Sequence, residues 1–176
     1  MSSAPGIPVV SIVGKSDVGK TTVLEGVVAE LAARGYVVAT CKHHAHEVDI
    51  DVAGKDSWRH ARAGARVVMV ASPSQLVTIR RLEEELSLDD IAAEAERAGC
   101  DLLVTEGFKR TARVRIEVVR RARSRELISA PSELVAIVTD DEGIDAPGVP
   151  RFSLGDRVAL ADFVEREFLR GVRDGD

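Results

Sequence analysis

The stretch GKSDVGKTT, residues 14–22, directly follows the apolar run PVVSIV, and no other feature restricts the fold as strongly. A β-branched run from Val9 to Val13 reads as a strand buried on both faces. The following TTVLEGVVAELAARG repeats Leu24, Val28 and Leu31 at helical spacing and stops at Gly35. Between them, Gly14-x-x-x-x-Gly19-Lys20-Thr21 satisfies the phosphate-loop pattern in the context its mechanism requires. Its glycines let successive N–H groups converge on phosphate oxygens at a helix N-terminus. Lys20 is expected to reach the outer phosphates, and the hydroxyl of Thr21 to face Mg²⁺. The loop backbone from Gly14 through Ser16, Asp17, Val18 and Gly19 to Thr22 is the expected cradle. Asp17 is unusual there, because a carboxylate facing phosphates repels them, so its side chain is expected to point outward.

Downstream, YVVATC, RVVMVA, QLVTIRR, DLLVTEG and ELVAIVTDD read as strands. GKDSWRHARAGA is expected to be a short helix ending at Gly64. SLDDIAAEAERAG is a helix opened by Ser87 and Asp90 and closed by Gly99. A last helix over residues 156–171 places Leu160, Val164 and Phe168 on one face. Alternating strands and helices predict an α/β fold: a phosphate-loop NTPase-like three-layer arrangement, mostly parallel in its central sheet, with room for antiparallel edge strands. Ligands of such sheets bind beyond the carboxyl ends of the strands, which gathers the loops after Val13, Cys41, Thr105 and Thr139 around one crevice. RIEVVRR alternates and is expected to be an edge strand with one wet face. The 176 residues carry no linker or repeat and are expected to form one domain, 1–176.

The net charge of −5 argues against a general nucleic-acid partner. No apolar stretch approaches membrane-spanning length, and MSSAPGIP lacks the parts of a secretory leader. With only Cys41 and Cys100, both at edges of apolar runs, a reduced cytoplasmic setting is the expectation.

The polar candidates cluster after strands. Glu106 ends DLLVTEG, where a carboxylate can hold Mg²⁺ or orient an attacking water, and it is the catalytic candidate. Asp101, at the other end of that strand, suits a turn or cap. The segment CKHHAHEVDIDVAGKDSWRH brings His43, His44, His46 and His60 together with four acids. Its histidines fit no zinc spacing, so Asp49 and Asp51 are the better Mg²⁺ candidates, with solvated loop acids as the plain alternative. Lys15 is either a solvated lysine or a residue that reaches a partner's nucleotide. Trp58 suits core or interface. The run KRTARVRIEVVRRARSRE, residues 109–126, is the one basic patch; a strand with one wet face is its plain reading, and the alternative is that it holds an anionic ligand or an acidic partner, with Arg120 and Arg121 as the residues to test.

Taken in order, the phosphate loop, CKHHAHEVDIDVAGKDSWRHARAGA, TEGFK, RIEVVR and the tail VPRFSLGDRVALADFV resemble the molybdopterin-guanine dinucleotide biosynthesis adaptor family, MobB, over essentially the whole chain. The resemblance implies a phosphate-loop fold, GTP binding with Mg²⁺, weak hydrolysis and a homodimer. It also implies service to a partner guanylyltransferase of the MobA type, with molybdopterin as a further ligand. It carries phosphate binding onto Gly14, Gly19, Lys20, Thr21 and Thr22, and the acidic position onto Glu106. The family's polar loop maps to His43, Asp49, Asp51, Lys55 and Asp56. Asp17 and the Val114-Arg115 pair depart from the family pattern. The chain has no Asn-Lys-x-Asp segment, so Asp140 or Asp141, at the end of AIVTDD, is the expected acceptor for the guanine edge. Competing readings are a phosphate-loop small-molecule kinase, which needs an acceptor lid, and a metal-insertion GTPase, which would draw on the histidines.

Overall fold

The structure is a computed structural model that describes residues 6–44 and 46–170. It forms two compact units, Met1–His43 with Ser87–Asp176, and His44–Leu86.

The larger unit is built on a six-stranded sheet in the order β2-β5-β1-β6-β7-β8. The strands are β1 Val9–Val13, β2 Val38–Lys42, β5 Leu102–Glu106, β6 Arg115–Val119, β7 Leu134–Thr139 and β8 Arg151–Phe152. Every pairing in it is parallel, so all carboxyl ends share one edge. The parallel α/β expectation therefore holds. β8 has no counterpart in the sequence reading, because two residues carry no periodicity.

Side chains divide by the period of two. Val10, Ile12, Leu102, Val104, Ile116, Val118, Ala136 and Val138 face α1 (Lys20–Ala33) and α4 (Arg157–Val164) in the main core. On the opposite face Leu103 packs with Ala92 and Ala95 of α3 (Leu88–Arg97), while Val119 and Ile137 pack with Ile144 and Ala146. α1 buries Val23, Val27 and Leu31, a stripe set one residue from the Leu24 and Val28 of the sequence reading. Its apolar surface is wide because it meets both the sheet and α4, and Leu24 packs at the margin of the same core. α3 opens with the expected box: Asp90 N–H donates to Ser87 Oγ at 3.1 Å, and Ser87 N–H to Asp90 Oδ2 at 3.0 Å. Asp101 caps the sheet's far end by accepting from Val37 N–H at 2.7 Å. The last helix begins as expected and passes into a π turn over Glu165–Leu169, where Phe168 joins the core. Gly171, its expected last residue, lies outside the described residues.

β6 is not an edge strand: it lies between β1 and β7, and all five of its residues are buried. The alternation is real, but its polar face is covered rather than wet. Glu117 is 1% exposed, and its two oxygens accept from Ile128 N–H at 2.6 Å and Ser129 N–H at 3.0 Å. Arg115 Nε donates to Ala112 O at 2.9 Å, and the same guanidinium pairs with Glu133 at 2.9 Å. Buried polar groups are tolerated once their bonds are made, and here the chain from 120 to 133 folds back to make them.

The smaller unit contains α2 (Asp56–Arg62) and an antiparallel hairpin of β3 (Val67–Ala71) and β4 (Leu76–Arg80). Both strands and the helix were legible, including the stop at Gly64, where φ is 108°. The hairpin belongs to its own two-stranded sheet. Trp58 is half-buried, with Arg62 stacked 5.0 Å from its ring centroid.

Candidate functional site

β1 ends at Val13 in the middle of the sheet, and the chain must turn at once to start α1. Gly14 makes the turn with φ 145°, and a Cβ at this position would stand 2.5 Å from the carbonyl oxygen of Val118. Only glycine allows that approach. Asp17 lies in the left-handed region with φ 58° and is exposed. Aspartate is among the few residues that tolerate this conformation. Its presence in a phosphate loop is thus a backbone matter, and the exposed residue lines the cleft near Lys20. Val18 is different: its side chain is fully buried in the main core, so only its backbone is available to the loop.

Gly19 is the N-cap of α1, also left-handed at φ 96°, with no side-chain cap and no acid in the first turn. α3 and α4, by contrast, are capped by Ser87 and Asp156. The amino end of α1 therefore offers free N–H groups and the positive end of the helix dipole. Lys20 Nζ donates to the carbonyl oxygen of Lys15 at 2.6 Å, across the loop. Burial pushes its pKa below the ordinary lysine value, Glu106 opposes that shift, and Lys109 adds to it. Thr21 Oγ1 donates to Glu106 Oε2 at 2.8 Å, and Lys42 Nζ stands 3.6 Å from Glu106 Oε1.

These groups line a cleft of about 480 Å³ bounded by Ser16, Asp17, Gly19, Lys20, Thr21, Thr22, Lys42, Glu106 and Arg120. That volume suits a small-molecule ligand. Lys42 was not among the sequence candidates for the site, and Arg120 was a candidate only as part of the basic run that could hold an anion. The first was read as part of the histidine segment; the second follows the strand mistaken for an edge, which hid its place beside β1.

Other candidates fall elsewhere. Lys15 Nζ bonds Ser124 Oγ at 2.7 Å and Glu126 Oε2 at 2.9 Å, so within its own chain it is a tether and not a solvated lysine. Asp140, exposed at the end of β7, accepts from Arg121 N–H at 2.7 Å and does not line the cleft. Asp141 is buried and bidentate to Arg125 at 2.6 and 3.1 Å, with Gly143 N–H at 3.0 Å. Those bonds hold its carboxyl below the usual range, the Arg125 guanidinium first. His43 follows β2 and stacks on Phe108 at 4.6 Å. A Cβ on Gly107, whose φ is 106°, would stand 3.2 Å from His43 Cβ. The glycine and phenylalanine of the EGFK segment thus hold this contact.

Asp49 and Asp51 lie in the smaller unit. Asp51 Oδ1 accepts from Val52 N–H at 2.8 Å and Ser57 Oγ at 3.1 Å, while its Oδ2 is buried with no partner among the described residues. Among the described residues no three His, Cys, Asp or Glu side chains converge as a metal site, and no helix is long and apolar enough to cross a membrane.

A parallel sheet whose central strand runs through a glycine loop into an uncapped helix, with Lys20, Thr21 and Glu106 at the mouth, defines the phosphate-loop NTPase-like α/β class. The match to known proteins is narrower. Residues 9–140 fit the family model for MobB, molybdopterin guanine dinucleotide synthesis protein B, and the chain belongs to that family. The Escherichia coli molybdopterin-guanine dinucleotide biosynthesis adapter protein is 34% identical over 170 residues, covering 93% of this chain and 95% of its own. Its Haemophilus influenzae namesake is 32% identical over 90% of this chain and 88% of its own. Among solved structures, Bacillus subtilis MobB superposes with a TM-score of 0.76 at 25% identity, covering 93% of this chain and 99% of the other. A crystal structure of molybdopterin-guanine biosynthesis protein B gives 0.66 at 32% identity, over 90% and 98%.

Proposed function

We infer that the chain acts as a GTP-binding adaptor in molybdopterin guanine dinucleotide biosynthesis, presenting nucleotide to a partner guanylyltransferase, with slow hydrolysis at most. The carrying observation is the uncapped amino end of α1 opening into a cleft with Lys20, Thr21 and Glu106 at its mouth. The residues fit a Mg²⁺-nucleotide. The Gly14 turn leaves no room for a Cβ, Lys20 has only a loop carbonyl to leave, and Thr21 and Glu106 set a hydroxyl and a carboxylate side by side for the metal. Mg²⁺ would supply charge neutralisation between phosphate oxygens, and Glu106 is the residue to orient a water. Asp140 is favoured over Asp141 as the guanine acceptor, since both oxygens of Asp141 are already bonded. The whole chain, 1–176, is read as one functional GTP-binding domain working in the cytoplasm.

Calorimetry tests this reading. A slowly hydrolysed GTP analogue is expected to bind at least tenfold more tightly than its ATP counterpart, only with Mg²⁺, and Asp140→Ala is expected to erase that preference. Equal or tighter ATP-analogue binding by the parent protein would falsify the guanine assignment and favour the phosphotransferase alternative.

The homodimer is inferred from the hairpin. Met69 and Leu76 are 63% and 65% exposed, and Val70 and Val77, paired across the strands, are 49% and 51% exposed. β3 packs on α2 and buries Val68, yet these other apolar side chains stay exposed, a patch that a second copy is suited to cover. Sedimentation velocity is expected to give a dimer for the parent and a monomer for a Val70→Asp, Leu76→Asp variant; an unchanged dimer would move the interface elsewhere.

A further inference from the structure

We propose that Arg120 is an anion-binding residue of the cleft, held ready to grip the phosphate chain of the nucleotide from the β6 side of the phosphate loop. This rests on the nucleotide reading above and adds a residue to it.

Arg120 is the first residue after β6, the strand paired to β1 on the side opposite β5. It lines the same cleft as Lys20 and Thr21. Its guanidinium has no hydrogen bond or ion pair among the described residues, whereas Arg125 is committed to Asp141 and Lys15 to Glu126. An arginine with five donors beside an uncapped helix start is suited to phosphate oxygens in a way a neutral side chain is not.

The backbone that carries Arg120 is fixed from several sides. The carbonyl of Arg120 accepts from Arg123 N–H at 2.8 Å and Ser124 N–H at 3.0 Å, closing a tight turn. Asp140 Oδ1 holds the next amide, that of Arg121. Arg125 is locked onto Asp141, Glu117 seizes Ile128 N–H and Ser129 N–H, and Ser124 and Glu126 reach the phosphate loop itself through Lys15. The covered polar face of β6 thus has a consequence at the cleft. It ties the 120–129 segment to the sheet, so that a free guanidinium is delivered on rigid backbone and less ordering is lost when an anion arrives.

Two probes separate this inference from the nucleotide reading: inorganic tripolyphosphate, which has no base, and the slowly hydrolysed GTP analogue with Mg²⁺. Both are titrated into the full chain and into Arg120→Ala, Arg120→Lys and Arg121→Ala, with thermal melts confirming the fold. Arg120→Ala is expected to weaken both probes about tenfold, Arg120→Lys to recover most of that loss, and Arg121→Ala to bind like the parent. Parent-like binding by Arg120→Ala, or an equal loss in Arg121→Ala, overturns the assignment. If the parent binds tripolyphosphate but no guanine nucleotide, and Arg120→Ala loses it, the nucleotide reading falls and Arg120 stands. Failure of the parent to bind either probe overturns both.

Discussion

Lys20→Ala is expected to weaken binding of the GTP analogue by about a hundredfold while leaving the thermal midpoint nearly unchanged. Charge-assisted bonds to phosphate contribute about 1.5–3 kcal/mol each, and one ammonium can serve two phosphates. At about 1.4 kcal/mol per decade, losing it reaches two orders of magnitude. The fold should not suffer, because the side chain's one hydrogen bond is to the Lys15 carbonyl of its own loop and its half-burial disfavours the charge. The pH dependence follows with the sign fixed by that burial. The ligand needs the ammonium, and the pKa of Lys20 in the free protein lies below the ordinary lysine value. Affinity is therefore full below that lowered pKa and declines as pH rises through it, earlier than for an exposed lysine. An alanine variant that binds within threefold of the parent would remove Lys20 from the site. A variant that melts well below it would make the loss a folding effect.

The legible parts of this chain were those whose cause is local. The β1–loop–α1 unit, the Ser87–Asp90 box and the stops at Gly35, Gly64 and Gly99 each depend on residues a few positions apart. What was misread depends on what lies across the sheet. Arg115, Glu117 and Arg121 look like a solvated face until Ile128, Ser129 and Glu133 are seen to cover the first two. The periodicity records only that the face is polar, and polarity arises equally from water or from a backbone donor folded back onto it. The same blind spot hid Arg120 and Lys42 from the cleft, since their place follows from strand order and not from spacing. Lys15 was read through the motif it sits in, whereas Ser124 and Glu126, more than a hundred residues later, decide its contacts. Asp17 shows the opposite case: its charge was the conspicuous feature, and its φ of 58° is what the loop uses.

Glu117→Ala is expected to cost about 3–5 kcal/mol of stability. The carboxylate is 1% exposed, and both oxygens are spent on backbone donors, Ile128 N–H at 2.6 Å and Ser129 N–H at 3.0 Å. Truncation leaves those donors facing a cavity, and an unmet buried donor costs about 1–3 kcal/mol on top of the lost contacts. For a chain of this size that corresponds to a fall in midpoint of roughly 10 °C. Glu117→Gln should lose less, because its one carbonyl oxygen keeps one of the two donors while its amide opposes the other. The order parent, glutamine, alanine is thus fixed by counting acceptors. Function should follow the same order, since the segment Glu117 secures carries Arg120 to the cleft and Ser124 and Glu126 to Lys15. Near-parent stability in Glu117→Ala would mean that the 120–133 segment is held by its other contacts, Arg125–Asp141, Arg115–Glu133, Lys15–Glu126 and the Asp140 bond to Arg121 N–H. Lost binding of the GTP analogue with a near-parent melt in Glu117→Gln would instead separate the two roles and make Glu117 a positioning residue for the cleft.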